Sequence, residues 1–204
     1  MKKTLLIDMY GVIIEESKGN FIPYAYEKIH QSRYDEITRK LREEHLFSRA
    51  QLGEISSEEF LTQLGFDRPR EAAEDYLRNY LTLDKEFVPF ARKAASKYEM
   101  VLLSNDVWEW SEYITEMHGL NVFFAEKFVS GKIHMRKPSA EIFEHCLGVL
   151  GRSGKECIFI DNSVKNLESA QEFGITPVLF NRDGEEYDKT VVNNYKELGK
   201  ILGI

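Results

Sequence analysis

The stretch Thr4-Leu5-Leu6-Ile7-Asp8-Met9-Tyr10-Gly11-Val12-Ile13 decides how the rest of the chain is interpreted. It is a short apolar run typical of a buried strand, and it ends in a carboxylate that is soon followed by a glycine. In open α/β sheets, ligands bind outside the carboxyl ends of the strands, where Asp8 would face a crevice on a rigid backbone. Asp8 is therefore a candidate nucleophile. The alternative is that Asp8 only stabilises the turn after the strand.

The composition is that of one compact, enzyme-sized unit. The chain has 204 residues, of which 43% are hydrophobic, and this is enough for a substantial core. The net charge is −7 and the basic residues are interleaved with acidic ones, which argues against a nucleic-acid partner. Cys146 and Cys157 lie in apolar contexts and form no Cys-x-x-Cys pair, so we expect free buried thiols.

The sequence contains no apolar run long enough to cross a bilayer. The apolar stretch after Met1-Lys2-Lys3 is also too short for a signal peptide, and Asp8 interrupts it. We therefore expect a cytoplasmic protein that acts on a small-molecule substrate, without a membrane or nucleic-acid partner. The oligomeric state is not predicted.

Between the first predicted strand and residue 83, the sequence shows helical patterns and no strand pattern. Residues 15–20 are polar and contain a glycine, which indicates a loop leaving the core. Within residues 21–83, Ser56-Ser57-Glu58-Glu59 is typical of a capping box, and Pro69 is placed to open another helix. We predict that residues 17–84 form an all-helical cap over the site. An independent helical domain is the alternative.

The second part of the chain alternates between strand and helix patterns, which indicates a parallel sheet with helices on its faces. We therefore predict an α/β fold with a Rossmann-like core, and a loop over residues 181–188. The predicted later strands cover residues 100–103, 127–129, 157–160 and 176–179.

Polar segments follow these strands at places where they would meet Asp8. They are Ser104-Asn105-Asp106, Arg136-Lys137-Pro138 and Asp161-Asn162-Ser163. A carboxylate can attack an electrophile, a hydroxyl and backbone N–H groups can hold an anion, and a Lys can neutralise developing charge. Each segment alone is compatible with an ordinary helix cap, a surface lysine or a turn. Their joint order favours a site.

With these motifs, the sequence resembles the haloacid dehalogenase-like (HAD) superfamily over nearly the whole chain. The matching segments are Asp8-Met9-Tyr10-Gly11-Val12, Leu102-Leu103-Ser104-Asn105, Lys137-Pro138-Ser139, and Phe159-Ile160-Asp161-Asn162-Ser163 with Asn166. The resemblance implies a HAD-like core over residues 1–16 and 85–204, the cap over residues 17–84, and substitution through an aspartyl-enzyme intermediate. Most members of the superfamily hydrolyse phosphate esters with Mg²⁺.

The resemblance also implies roles for individual residues. Asp8, Tyr10 and Lys137 match catalytic positions, and Ser104, Asn105 and Lys137 match positions that bind the phosphate. The metal would lie among four residues, which are Asp8, Tyr10, Asp161 and Asn162.

Tyr10 departs from the pattern of the phosphatases in this superfamily. They carry an Asp two residues after the nucleophile, which serves as the general acid and base. A Tyr has a pKa of about 10 and is a poor base near neutral pH. The 2-haloacid dehalogenases, by contrast, have Asp-x-Tyr-Gly in this motif and need neither a metal nor an acid.

Asn162 departs from the pattern of the metal-dependent members of the superfamily. Metal-dependent members usually have carboxylates at both Asp161 and Asn162, and the second is typically the direct ligand. Asn162 still offers a neutral oxygen, so we expect a weakened Mg²⁺ site. The dehalogenases lack the acid at Asp161 and use an Arg for the substrate carboxylate. The candidate arginines of the cap are Arg39, Arg42 and Arg49.

The sequence thus leaves open three hypotheses for function. The first is a HAD-like phosphatase that acts on a small phosphorylated metabolite. The second is a 2-haloacid dehalogenase-type hydrolase, and the third is a phosphate-binding protein with the HAD fold but without turnover.

Overall fold

A parallel β-sheet forms the centre of the protein, in a computed structural model that describes residues 2–204. The strands are β1 (Lys3–Ile7), β2 (Tyr98–Ser104), β3 (Glu126–Val129), β4 (Cys157–Asp161), β5 (Thr176–Phe180) and β6 (Val191–Val192). The six strands are ordered β3-β2-β1-β4-β5-β6, and every neighbouring pair is parallel. The predicted α/β fold with a Rossmann-like sheet is confirmed.

Helices connect the strands and cover the sheet. Those between β1 and β2 are α1 (Phe21–Lys28), α2 (Tyr34–Arg42), α3 (Leu46–Gln51), α4 (Ser57–Leu64), α5 (Pro69–Asn79) and α6 (Phe87–Lys97). The later ones are α7 (Trp108–Met117), α8 (Ser130–Ile133), α9 (Ala140–Leu150), α10 (Val164–Glu172) and α11 (Tyr195–Leu202). No strand lies between β1 and β2 in this described part of the chain. The division at residues 17 and 84 into core and cap stays a prediction.

The central strand β1 is buried on both faces. Its side chains alternate, so that Leu5 and Ile7 belong to one apolar cluster and Leu6 to the other. The cluster around Leu6 includes Ile142 of α9 and Leu167 of α10, which pack from the second face. Burial on both faces explains why β1 has a continuous apolar sequence.

The register of β1 determines where the polar strand ends lie. Ile7 is opposite Leu102 of β2 on one side and Ile160 of β4 on the other. The backbone N–H of Asp8 donates to the carbonyl of Ile160 at 3.0 Å. Asp8 therefore lies at the same edge of the sheet as Ser104, which ends β2, and Asp161, which ends β4.

Local sequence signals position several elements correctly. Ser56 and Glu59 form the predicted capping box at the start of α4, and Pro69 is the first residue of α5. The short strand β6 was not predicted, because two residues carry no detectable alternation. Cys146 and Cys157 are free and buried, as predicted. Among residues 2–204, no helix is both long enough and apolar enough to span a membrane.

Candidate active site

Lys137 is the buried cation around which the site is arranged. Its Nζ atom lies 2.8 Å from Oδ1 of Asp8 and 2.7 Å from Oδ2 of Asp161, and it donates to the carbonyl of Leu103 at 2.8 Å. Only 1% of Lys137 is exposed. A buried ammonium group is stable only when it is paired and fully hydrogen-bonded, and this one is. Three predicted site residues therefore meet in one cluster.

Asn105 holds the backbone of Lys137. Its side-chain oxygen accepts from the Lys137 N–H, and its side-chain NH₂ group donates to the Lys137 carbonyl, both at 2.8 Å. The Asn105 side chain therefore bonds both backbone polar groups of Lys137, in the segment before α9. Its NH₂ group has a second hydrogen that these bonds do not use, and Asn105 lines the cavity, so its contact with a phosphate stays a prediction.

Asp161 is satisfied by protein donors. Its Oδ1 accepts from the N–H of Ser163 at 2.7 Å and from the side chain of Asn166 at 3.2 Å, while Oδ2 accepts from Lys137. Because both oxygens are engaged, the geometry favours a role in holding Lys137 over direct contact with a metal. Asn162, next in the chain, is partly exposed at the cavity.

The hydroxyl of Ser104 makes no hydrogen bond within the described part of the chain. Its Oγ atom is buried and has no hydrogen-bond partner among residues 2–204. Ser104 is not one of the residues that line the cavity, whereas its neighbour Asn105 is. A buried hydroxyl without a partner is costly, and such groups often belong to ligand sites.

A cavity of about 340 Å³ opens above Asp8 and Lys137. The segment between β1 and β2 contributes Ser17, Lys18, Gly19, Phe47, Gln51 and Tyr76 to its walls. No arginine of the described chain lines it. In particular, Arg39 pairs with Glu44 and Arg49 pairs with Glu54.

The model of the haloacid dehalogenase-like hydrolase family matches residues 2–174. The chain belongs to this family. The sequence-based identification and the prediction of a hydrolase are therefore confirmed.

Similar proteins include phosphatases and a dehalogenase. D-ribitol-5-phosphate phosphatase of Bacteroides thetaiotaomicron is 24% identical over 185 residues, which cover 85% of this chain and 89% of that protein. A HAD family enzyme from the same organism, solved with magnesium and inorganic phosphate, aligns with a TM-score of 0.74 and 24% identity. The alignment covers 92% of this chain and 98% of that enzyme.

A 2-haloacid dehalogenase from Pseudomonas syringae pv. tomato also shares the fold, with a TM-score of 0.71 and 16% identity. That alignment covers 100% of this chain and 99% of the dehalogenase. At such identities the solved structures establish the HAD fold and leave the chemistry to be argued from the site.

In this HAD-like hydrolase, Tyr10 contacts Asp106, a third buried carboxylate beside Asp8 and Asp161. The Tyr10 hydroxyl donates to Oδ1 of Asp106 at 3.2 Å. Burial raises the pKa of Asp106 to about 7, although Ser111 and the N–H of Val107 donate to it. Burial and the nearby Asp106 raise the pKa of Tyr10 well above its usual value. Tyr10 is therefore a neutral hydrogen-bond donor and not a base at physiological pH.

Burial also changes the protonation of the central ion pair. It raises the pKa of Asp8 to about 7, against the opposing effect of Lys137. For Lys137, burial disfavours the charged form, but Asp161 and Asp8 outweigh this and raise its pKa above the usual value. Lys137 therefore stays cationic, and Asp8 is the group whose ionisation an additional cation would favour.

The oxygen atoms around the cavity suit a hard cation. The Tyr10 carbonyl and the Asn162 side-chain oxygen accept no hydrogen bond from residues 2–204, and both residues line the cavity with Asp8. No group of three His, Cys, Asp or Glu side chains that could hold a metal occurs in that part of the chain. The set is thus one carboxylate and two neutral oxygens, which fits Mg²⁺ because Mg²⁺ keeps several waters.

The structure gives a role to one residue that had none from the sequence and adds others. Asp106 belongs to the polar segment Ser104-Asn105-Asp106, but its contact with Tyr10 has no signal in the sequence. Gln51, Tyr76 and Asp183 reach the cavity from distant parts of the chain. Only the tertiary fold brings them there, and no local pattern marks them.

Proposed function

We propose that this protein is a Mg²⁺-dependent phosphatase of the HAD family that acts on a small phosphorylated metabolite through an aspartyl-enzyme intermediate at Asp8. The proposal is supported chiefly by one observation. Asp8, Tyr10 and Asn162 line one cavity beside the buried Lys137, and neither the Tyr10 carbonyl nor the Asn162 side-chain oxygen accepts a hydrogen bond from residues 2–204. This arrangement can bind a cation and a phosphate together.

Asp8 would act as the nucleophile. Its Oδ1 is held by the N–H of Met9 at 2.7 Å and by Lys137 at 2.8 Å, so Oδ2 is the oxygen left to react. Oδ2 forms a bond to phosphorus while the bond from phosphorus to the leaving oxygen breaks, and the leaving alkoxide takes a proton from water. A water molecule then attacks phosphorus, which releases inorganic phosphate and a proton and restores the Asp8 carboxylate.

The remaining residues hold the anion and its charge. The Ser104 hydroxyl has no hydrogen-bond partner among residues 2–204 and lies at the end of β2, directly before the cavity-lining Asn105, and we infer that it donates to a phosphate oxygen when the anion binds. Lys137 neutralises charge at Asp8 and on the transferred group, while Asn105 and Asp161 keep Lys137 in place. A bound Mg²⁺, held by Asp8, the Tyr10 carbonyl and Asn162, would supply charge neutralisation that favours the ionised form of Asp8.

The dehalogenase alternative is supported by one feature, the Asp8-x-Tyr10-Gly11 motif. Other observations speak against it. Asp161 is retained at β4, and no arginine of residues 2–204 lines the cavity to hold a substrate carboxylate. Arg182, near the cavity, has its guanidinium bound to the carbonyls of Gly11 and Val12 and to Asp84.

The proposal is tested by an activity panel. We expect purified protein to release phosphate from p-nitrophenyl phosphate and small sugar or polyol phosphates, with Mg²⁺, and to lose this activity on chelation. Asp8→Asn is the matched control, because an amide has nearly the same shape but cannot form the intermediate. Chloride release from 2-chloropropionate without phosphate release would overturn the proposal in favour of the dehalogenase. Phosphate binding without any turnover would favour the non-enzymatic alternative.

A further inference from the structure

The side chain of Asn162 donates a hydrogen bond to a carboxylate from a distant loop. Its NH₂ group donates to Oδ2 of Asp183 at 3.2 Å. The NH₂ group and the carbonyl oxygen lie on opposite sides of an amide, so this bond also decides where the oxygen points. That oxygen accepts no hydrogen bond from any residue between 2 and 204, and both Asn162 and Asp183 line the cavity.

The loop that carries Asp183 is fixed against the turn after β1. The Arg182 side chain donates from Nε to the Gly11 carbonyl at 2.9 Å and from Nη2 to the Val12 carbonyl at 3.2 Å. It also pairs with Asp84. Asn181 closes the loop through both ends of its amide, which bond the backbone of Glu185 at 2.9 and 3.0 Å. Asp183 is thus placed by several bonds, although its own side chain is exposed.

Gly11 provides the space in which Asn162 lies. A Cβ atom at Gly11 would come within 2.4 Å of Nδ2 of Asn162, a distance that side chains do not reach. The φ angle of Gly11, +76°, is also one that favours glycine. The turn after β1, the residue after β4 and the loop after β5 therefore meet at one wall of the cavity.

We propose that Asp183 is a positioning residue of the cation site, which orients the Asn162 amide so that its oxygen, and not its NH₂ group, is presented to the metal. This inference rests on the proposed function. A freely rotating amide would present its NH₂ group to the cation part of the time, and this group repels a cation. Carboxylates that hydrogen-bond to a metal ligand without touching the metal orient that ligand in this way.

The effect of Asp183 on Mg²⁺ binding should depend on which residue stands at position 162. Orientation matters only while residue 162 is an amide, because both oxygens of a carboxylate are equivalent ligands. Removing Asp183 should therefore weaken Mg²⁺ binding when residue 162 is Asn. It should not weaken binding when residue 162 is Asp, because the two carboxylates would then repel each other. A general electrostatic or structural role of Asp183 would weaken binding in both backgrounds.

A double-mutant cycle tests this with the full chain and Mg²⁺ alone, measured by calorimetry, with Mn²⁺ titration by electron paramagnetic resonance as a second probe. We expect Asp183→Ala to weaken binding about tenfold in the wild-type background. In the Asn162→Asp background we expect no weakening beyond about twofold, and tighter binding is also consistent with relief of the repulsion between the two carboxylates. Glu185→Gln is the matched control, since it removes a cavity-lining carboxylate of the same loop that has no bond to the Asn162 side chain, and it should change affinity by less than about twofold.

Equal losses in the two backgrounds, or no loss in either, would overturn the positioning role while leaving the proposed function intact. No binding of either metal at millimolar concentration by the wild type would overturn both. Thermal unfolding of each variant without metal shows whether the fold is kept, and we expect it to be kept because Asp183 is exposed.

Discussion

At the scale of single residues, Ser104 and Ser111 differ in what their hydroxyls do in the protein. The Ser104 hydroxyl is buried and has no partner among residues 2–204, whereas the Ser111 hydroxyl donates to Oδ2 of Asp106 at 2.6 Å. Removal of the Ser104 hydroxyl breaks no hydrogen bond in this part of the free protein. Removal of the Ser111 hydroxyl takes a hydrogen-bond donor away from the buried Asp106 carboxylate.

Ser104→Ala should therefore lower activity without lowering stability. We expect kcat/KM for a phosphate ester and the affinity for inorganic phosphate to fall by about ten- to a thousandfold, as for loss of one anion-stabilising donor. The free energy of unfolding, measured by urea denaturation, should not fall. Ser111→Ala is the control and should lose about 1–3 kcal/mol of stability. If Ser104→Ala reduces stability and leaves anion binding unchanged, Ser104 is a structural residue.

The raised pKa of Asp106 predicts how stability depends on pH. Between about pH 4 and about pH 7, the folded protein keeps a proton on Asp106 that the unfolded chain has released. The unfolded state then binds fewer protons, so the free energy of unfolding falls as the pH rises through this range. One proton contributes at most about 1.4 kcal/mol per pH unit.

Asp106→Asn should flatten that dependence. Because the pKa of Asp8 is also raised to about 7, the comparison belongs in an Asp8→Asn background with metal chelated. Denaturation across the pH range then isolates the contribution of Asp106. Equal slopes with and without Asp106 would show that its carboxyl ionises in the folded protein as it does in the unfolded chain.

At the scale of elements, the turn after β1 carries the departure that matters most for catalysis. Tyr10 occupies the position at which related phosphatases carry their general acid, and its neutral hydroxyl donates a hydrogen bond to Asp106. A leaving alcohol therefore gains little help from Tyr10, and turnover should depend strongly on the leaving group. Aryl phosphates should react faster than alkyl phosphates.

Tyr10→Asp should restore part of the missing proton transfer. We expect turnover of an alkyl phosphate to rise more than that of an aryl phosphate, since the poorer leaving group needs protonation more, and general acid catalysis contributes roughly 10²–10⁴-fold. Steady-state kinetics with both substrates measure the difference, and Tyr10→Phe is the control without a new acid. If neither substrate gains, Tyr10 is itself adapted to the reaction and the dehalogenase hypothesis strengthens.

Elements with strong local signals were predicted from the sequence. The capping box of Ser56 and Glu59 and the opening proline of α5 are such signals, because their partners lie within one turn. The two-residue strand β6 has no signal of this kind, since it forms only by pairing with β5. Its place depends on the sheet edge that the rest of the fold provides.

At the scale of the whole molecule, the order of the strands explains why the predicted site residues meet. Asp8, Ser104 and Asp161 end three adjacent strands, and a parallel sheet brings such ends to one edge. The contacts of Tyr10 with Asp106 and of Asn162 with Asp183 were not predicted. They join residues far apart in sequence, and each depends on the conformation of the loops around the cavity.

The segment between β1 and β2 is packed on the core through an aromatic cluster. Trp110 of α7 lies 5.1 Å from Phe21 and 5.1 Å from Tyr76 between ring centroids, and its Nε1 donates to Ser57 at 2.7 Å. Tyr76 belongs both to this cluster and to the cavity wall. The cavity walls that would select the substrate are therefore held by packing that also joins this segment to the core.

The central claim is that Asp8 forms a covalent bond to phosphorus during turnover. The most direct test is mass spectrometry of protein quenched in acid while it hydrolyses a phosphate ester with Mg²⁺. We expect a phosphoryl adduct on the peptide that contains Asp8, and its absence in Asp8→Asn together with loss of turnover. Undiminished phosphate release by Asp8→Asn, without any adduct in either protein, would contradict a covalent role of Asp8.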